Sequence, residues 1–281
     1  MLTINRIKRI FVKTLTQCRV NTSTYYSAFA PTTPIFKMPL KLPSIDLVYE
    51  DNDVVIVNKP AAFLTIPDRY DIDKPNLYHV LQDIYGEIYV VHRLDFETSG
   101  ILCFARNEVA HKLLSMQFSR HTIIKSYRAI VSGRFLQQEG EINLPIGEDY
   151  QRRGTMRIDH REGKPALSRY RVVEEFKHYA YIEVNILTGR THQIRVHLKA
   201  IAHPVLGDTT YGGQADFRLS SIKKRYNLKQ FEEEQPIMSR TALHAHALTF
   251  VHPSTQEEVC LSVPLPKDMD VVLRLLQKYD I

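Results

Sequence analysis

YIEVNILTGRTHQIRVHLKAI, residues 181–201, changes its apolar period halfway along. Ile182, Val184 and Ile186 alternate with Glu183 and Asn185, which is the period of a strand with one face buried. After Gly189 the spacing becomes helical, with Ile194, Leu198 and Ile201 as the inner stripe. A strand that turns through a glycine into a helix delivers Arg190, His192, Gln193, Arg195 and His197 to the helix start. Helix N-termini favour anions, so this donor array suits a phosphate or a carboxylate.

The neighbouring segments are richer in strands than in helices. DLVYEDNDVVIVNKP, residues 46–60, reads as two β-rich runs around an Asp-Asn-Asp turn, closed by Pro60. Asn107 is the expected N-cap of a helix whose apolar face is Ala110, Leu113, Leu114 and Phe118. KSYRAIVSG is a strand ending at Gly133, and ALHAHALTFVHP and EVCLSV read as late strands. Asp268 is expected to cap a final helix packed through Met269, Val272, Leu273 and Leu276. Residues 217–238 read as an inserted surface loop with some helical content. Short connections between many strands predict an α+β fold over residues 44–281: a mixed, mainly antiparallel β-sheet core with peripheral helices.

A chain of 281 residues with 44% hydrophobic content can bury a sizeable core. It has no apolar run of about eighteen residues, so no membrane-spanning helix is expected. Cys18, Cys103 and Cys260 are odd in number and far apart, which argues against a disulfide framework or a metal knuckle and for a reducing compartment. The sequence pI of 9.1 is misleading. Seven basic residues and no acid lie in residues 1–45; removing these seven from 37 leaves 30 basic against 31 acidic residues. Any affinity for polyanions in the main domain must therefore be local. Residues 1–43 form a basic extension outside the fold. The composition of residues 1–37 fits a mitochondrial transit peptide, a disordered basic tail, or an upstream extension of a domain that starts at Met38.

HRLDFETSGILCFA, residues 92–105, places Asp95 two residues after Arg93 and ahead of a Thr-Ser-Gly turn. Alone, such a pair is usually a surface salt bridge worth under about 1 kcal/mol. Arg195 beside the buried Ile194 and Leu198 gives it company, because a guanidinium can fork onto a carboxylate and hold it ionised. The same arginine could equally satisfy buried carbonyls. Lys125 and Tyr127 share a strand face, a cation beside a flat ring that suits a stacked base and a phosphate. A tyrosine half-buried on a sheet is the plainer reading. His244 with His246, and His192 with His197, raise the metal question, but no third ligand stands at familiar spacing and structural histidines fit better. No Walker or GxGxxG loop is present, and GDTTYGG at 207–213 lacks the lysine of a phosphate loop.

VNKPAAFLTIP, HRLDFETSGILCFA, KSYRAIVSG, LTGRTHQIRVHL with AHPVLGDTTYG, and ALHAHALTFVHP occur in the order in which the RluA-type pseudouridine synthases carry them. The chain resembles that family through most of residues 46–266. The resemblance implies a pseudouridine synthase fold with a central catalytic cleft across the sheet, no cofactor, and isomerisation of uridine in structured RNA, ribosomal or transfer. Carried over by motif, the catalytic residues are Asp95, Tyr127 and the aspartate-pairing Arg195. Arg93 would displace the target base, and Lys59, Arg190, His192 and Gln193 complete the substrate-binding set. Ala62 stands where the family commonly has a glycine after its Lys-Pro, and no patterning of an S4 RNA-binding domain precedes residue 46. Loops 64–76, 147–163 and 214–238 are the expected selectors of the RNA.

The working state implied is a monomer with neither membrane nor nucleotide partner, cytoplasmic or, if residues 1–37 are cleaved on import, in the mitochondrial matrix. Two other classes compete: a glycoside or nucleoside hydrolase using Asp95 with Glu97, and a catalytically silent RNA-binding or chaperone module of the same fold.

Overall fold

The computed structural model describes residues 45–223, 226 and 233–281. The basic extension with its transit-like composition, and part of the 217–238 insertion, lie outside the described residues. The chain folds as β1 (Asp46–Glu50), β2 (Val54–Lys59), α1 (Leu77–Tyr85), β3 (Tyr89–Val90), β4 (Ser99–Ala105), α2 (Glu108–Ser119) and β5 (Ile124–Ser132). There follow β6 (Glu139–Asn143), β7 (Ile146–Glu148), β8 (Met156–Ile158), β9 (Leu167–Glu175), β10 (Tyr179–Ile186), α3 (Gln193–Ala200), β11 (Leu243–Val251), β12 (Glu258–Ser262) and α4 (Lys267–Tyr279). One sheet runs β1-β2-β4-β11-β5-β10-β9-β6, with β3 added on β4 and β12 on β11, while β7 and β8 form a separate hairpin. Of its pairings, β4 with β11 is parallel and the rest are antiparallel. The mixed, mainly antiparallel sheet expected from the alternation is present.

The apolar runs sit at the middle of the sheet. All seven residues of β4 are buried, as are Val54–Val57 of β2, because both faces are covered. The parallel contact of β4 with β11 explains the glycine of the Thr-Ser-Gly turn. Gly100 pairs with Ala245 at φ 119°, and a Cβ there would lie 2.1 Å from the Ala245 carbonyl oxygen. Asn107 caps α2 as expected, its side chain accepting from the Ala110 N–H.

Three expectations change in detail. Glu183 is buried despite lying on the polar side of β10, because its cross-strand neighbours are Arg128 and Arg171, which both pair with it, at 2.8 and 3.3 Å. The inner stripe of α3 broadens to every residue from Gln193 to Leu198. The β7–β8 hairpin covers its outer side, with Ile146, Ala166 and Tyr211 packed around Val196. Asp268 does not cap α4: the N-cap is Pro266, and Asp268 stands in the first turn with its carboxylate forked onto Arg240 at 2.7 and 2.8 Å. Met269, Val272, Leu273 and Leu276 pack as expected.

Ala62 adopts φ 55°, the left-handed region where a Cβ is strained by about 1 kcal/mol or more. Ala62→Gly should therefore raise unfolding stability by about 1 kcal/mol, read from the urea midpoint at unchanged m. A lower midpoint would show that the turn is not strained.

Candidate active site

A cleft of about 380 Å³ opens over the sheet centre, within the size range of ligand pockets. Asp95, Tyr127, Arg195, Arg93, Arg190, His192 and Gln193 all line it, and Lys59 does not. The row Tyr127–Ala245–Gly100 crosses β5, β11 and β4, so Tyr127 stands beside the base of the loop that carries Asp95.

That loop is braced from several directions. The His92 ring stacks on Phe118 at 4.6 Å between centroids, and its Nε2 accepts the Cys103 N–H at 3.0 Å. An accepting Nε2 requires a neutral ring, in keeping with burial pushing the pKa down to about 3. The Thr65 hydroxyl donates to the Leu94 carbonyl at 3.0 Å and accepts the Leu94 N–H at 3.2 Å. The Lys59 ammonium reaches the carbonyls of Pro60, Phe63 and Phe96 at 2.9, 2.7 and 3.2 Å.

Lys59 thus corrects one expectation. Its side chain is fully buried and its three protons are matched by three carbonyls, so it holds the loop instead of meeting RNA. Burial lowers its pKa to about 7, and Asp95 works in the opposite direction. Gln193 is a second correction. Its oxygen accepts from the Thr188 hydroxyl and the Arg190 N–H at 2.7 and 3.0 Å, and its amide donates to the Leu167 carbonyl and the Ser168 hydroxyl, both at 3.0 Å. All its polar capacity goes to holding the glycine turn and tying the helix start to β9. Arg190 lies at the cleft with its Nε on the Pro165 carbonyl at 3.1 Å.

Arg195 does not fork onto Asp95. Its Nε and Nη2 take both oxygens of Asp208 at 2.7 and 2.8 Å, leaving Nη1 to reach Asp95 Oδ2 at 3.4 Å. Burial opposes the guanidinium charge, but the bonds to Asp208 hold its pKa above the usual value. Asp208 is presented by Gly207, at φ 80°, where a Cβ would strike the Arg240 carbonyl oxygen at 1.8 Å. The same turn supplies Tyr211, whose ring stacks under the Arg195 guanidinium at 4.9 Å. The Tyr211 hydroxyl accepts from the Met156 N–H at 2.8 Å and shares a hydrogen bond of 2.7 Å with His192 Nδ1. In the tautomer where that hydroxyl donates, His192 carries its proton on Nε2, which faces Asp95 Oδ2 at 3.9 Å. Burial lowers the His192 pKa, favouring the neutral ring.

Asp208 and Tyr211 were missed as site residues because GDTTYGG was weighed only as a phosphate loop. The signal available was the position of this turn within one of the resemblance's own segments.

Burial, and secondarily Asp95, raise the Tyr127 pKa, so a phenol and not a phenolate faces the cleft. Glu97 turns away and takes the Thr241 N–H at 3.1 Å and the Thr241 hydroxyl, which weighs against a paired-acid hydrolase. His197 bonds Ser168 and the Leu144 carbonyl, and His244 bonds Ser99, as structural histidines do. Among the described residues, metal-like proximity occurs at Asp51, Asp53 and His252, whose ligand atoms lie within 4.8 Å. There His252 donates to Asp51 at 2.8 Å and accepts the Ser254 and Thr255 N–H groups, a network that fixes a turn.

The family model described as RNA pseudouridylate synthase matches residues 53–200. A ribosomal large subunit pseudouridine synthase D from Blochmanniella floridana is 35% identical over 248 residues, covering 86% of this chain and 75% of the relative. Another protein of that name, from Buchnera aphidicola, is 37% identical over 238 residues, covering 82% and 72%. The solved structure of human RNA pseudouridylate synthase domain containing 1 aligns with a TM-score of 0.60 and 28% identity, over 86% of this chain and 98% of that one. No helix among the described residues is long and apolar enough to cross a membrane.

Proposed function

The chain belongs to the RluA family of RNA pseudouridine synthases, and from that premise we propose that it modifies uridines of large-subunit ribosomal RNA with Asp95 as the catalytic carboxylate. It is an isomerase acting on RNA. The ribosomal assignment rests on the names of the relatives matched over most of their length. The catalytic assignment rests on one observation above all: Asp95 is the carboxylate of a nucleotide-sized cleft, with Arg195 aimed at it by Asp208.

Uridine becomes pseudouridine when the C1′–N1 bond breaks, the uracil turns over and C5 bonds to C1′. The nucleotide must first leave its stack, at about a few kcal/mol, and the exposed Arg93 at the cleft mouth would fill the space. Asp95 then acts at the sugar, as nucleophile or as base. Arg195 and His192 supply positive charge and an N–H beside it. Tyr127 offers its ring for stacking. Its raised pKa weighs against a phenolate as the acceptor of the C5 proton.

One main buried core runs through the described residues, which supports residues 44–281 working as one domain. Loops 64–76, 147–163 and 214–238 would choose the RNA. The test is release of tritium from [5-³H]uridine-labelled transcripts of large-subunit ribosomal RNA and of transfer RNA. Release from the ribosomal transcript alone is expected. Release from the transfer RNA alone would overturn the substrate, and release of free uracil would return the hydrolase.

A further inference from the structure

The inner wall of the cleft carries a cation that the reaction described above does not use. Lys125 stands two residues before Tyr127 on β5, so the two side chains share a face. It is 8% exposed and lines the cleft. Its ammonium lies 5.8 Å from the centre of the Phe118 ring and 3.8 Å from where a Cβ on Gly189 would be. Among the described residues no acid or carbonyl pairs with it. Burial lowers the Lys125 pKa, and the titratable group its charge acts on is the neutral His92.

A desolvated cation without an acceptor is costly, so the site is incomplete until a ligand supplies one. The ligand is unlike that of the rim. Among the lining residues Arg93 and His121 are exposed and Arg190 is half-buried, positions open to the phosphates of an entering nucleotide. Lys125, nearly enclosed, lines the same cleft with its ammonium near the Phe118 ring and its side chain on the strand face of Tyr127. Resting on the catalytic reading above, we propose that Lys125 is a uracil-binding residue that donates to a ring carbonyl and stabilises the negative charge of the departing base.

The chemistry asks for such a donor. Heterolysis of C1′–N1 leaves its electron pair on uracil, shared among N1, O2 and O4, and a fixed donor in a dry site stabilises that charge as it forms. In this proposal Lys125 donates a hydrogen bond and transfers no proton to the base. The turn that replaces N1 by C5 is a half rotation about the axis through N3 and C6, and this rotation exchanges C2=O with C4=O. A single donor therefore meets O2 on one side of the rotation and O4 on the other. Substrate and product orientations are held alike, and the detached base is kept from diffusing away.

The test compares wild type, Lys125→Met and Lys125→Arg in single turnover, on RNAs carrying uridine, 2-thiouridine or 4-thiouridine at the target. Lys125→Met should lower the rate with uridine on the order of 100-fold, leave RNA affinity within about twofold, and Lys125→Arg should retain part of the rate. Sulfur is a weak acceptor, so the wild type should lose rate with at least one thio-substrate, and that loss should vanish in Lys125→Met. A Lys125→Met rate within about twofold of wild type would overturn the proposal, as would an equal factor lost on all three RNAs, which marks a purely structural role. A loss confined to RNA affinity would assign Lys125 to a phosphate instead. Wild type inactive on every RNA would overturn the catalytic reading itself, a failure distinct from these.

Discussion

Asp95→Asn should lower single-turnover conversion by at least about 10⁴-fold, about 5 kcal/mol in activation free energy, with RNA affinity and folding stability little changed. The substitution keeps the volume and one acceptor for Arg195, whose main anchor is Asp208. It removes only the negative oxygen that the sugar chemistry requires. The loop should stay in place, since it is held by Thr65, Lys59 and His92 and not by the Asp95 side chain. A variant that turns over within about tenfold of wild type would remove Asp95 from the reaction, whatever its effect on binding.

Asp208→Ala should cost about 3–5 kcal/mol of stability and abolish turnover at the same time, because it strands a buried guanidinium. The two effects have one cause: without Asp208, the fork that aims Nη1 at Asp95 is gone and only the Tyr211 ring still holds the guanidinium. The double variant Asp208→Ala with Arg195→Met should recover much of the stability and none of the activity. Chemical denaturation of the two single variants and the double variant gives the coupling directly. A loss below about 1 kcal/mol in Asp208→Ala, or additive losses in the double variant, would show that the buried pair is not the organising contact.

Much of this site was legible in the sequence, and the exceptions share a physical cause. The change of period at Gly189 placed the β10–α3 turn, and Asn107 placed α2. The motif order placed Asp95, Tyr127 and Arg195 at one cleft. Burial of α3 on all sides was not legible, because the covering β7–β8 hairpin comes from some forty residues upstream. A lysine reads as solvent-facing in sequence, so the enclosure of Lys59 by three carbonyls was equally hidden. Only its neighbours in space, Phe63 and Phe96, reveal it. The fork of Arg195 onto Asp208 was missed for the converse reason. Two acids could claim one guanidinium, and spacing alone does not say which meets it edge-on.

The most direct test of Asp95 as the catalyst is a pseudouridine map, by carbodiimide labelling and primer extension, of ribosomal and transfer RNA. The cells compared lack this gene and are rescued with wild type or with Asp95→Asn. The account predicts that one or a few large-subunit ribosomal sites vanish on deletion and return with wild type only. Sites restored equally by Asp95→Asn, or no site changed by deletion, would contradict it.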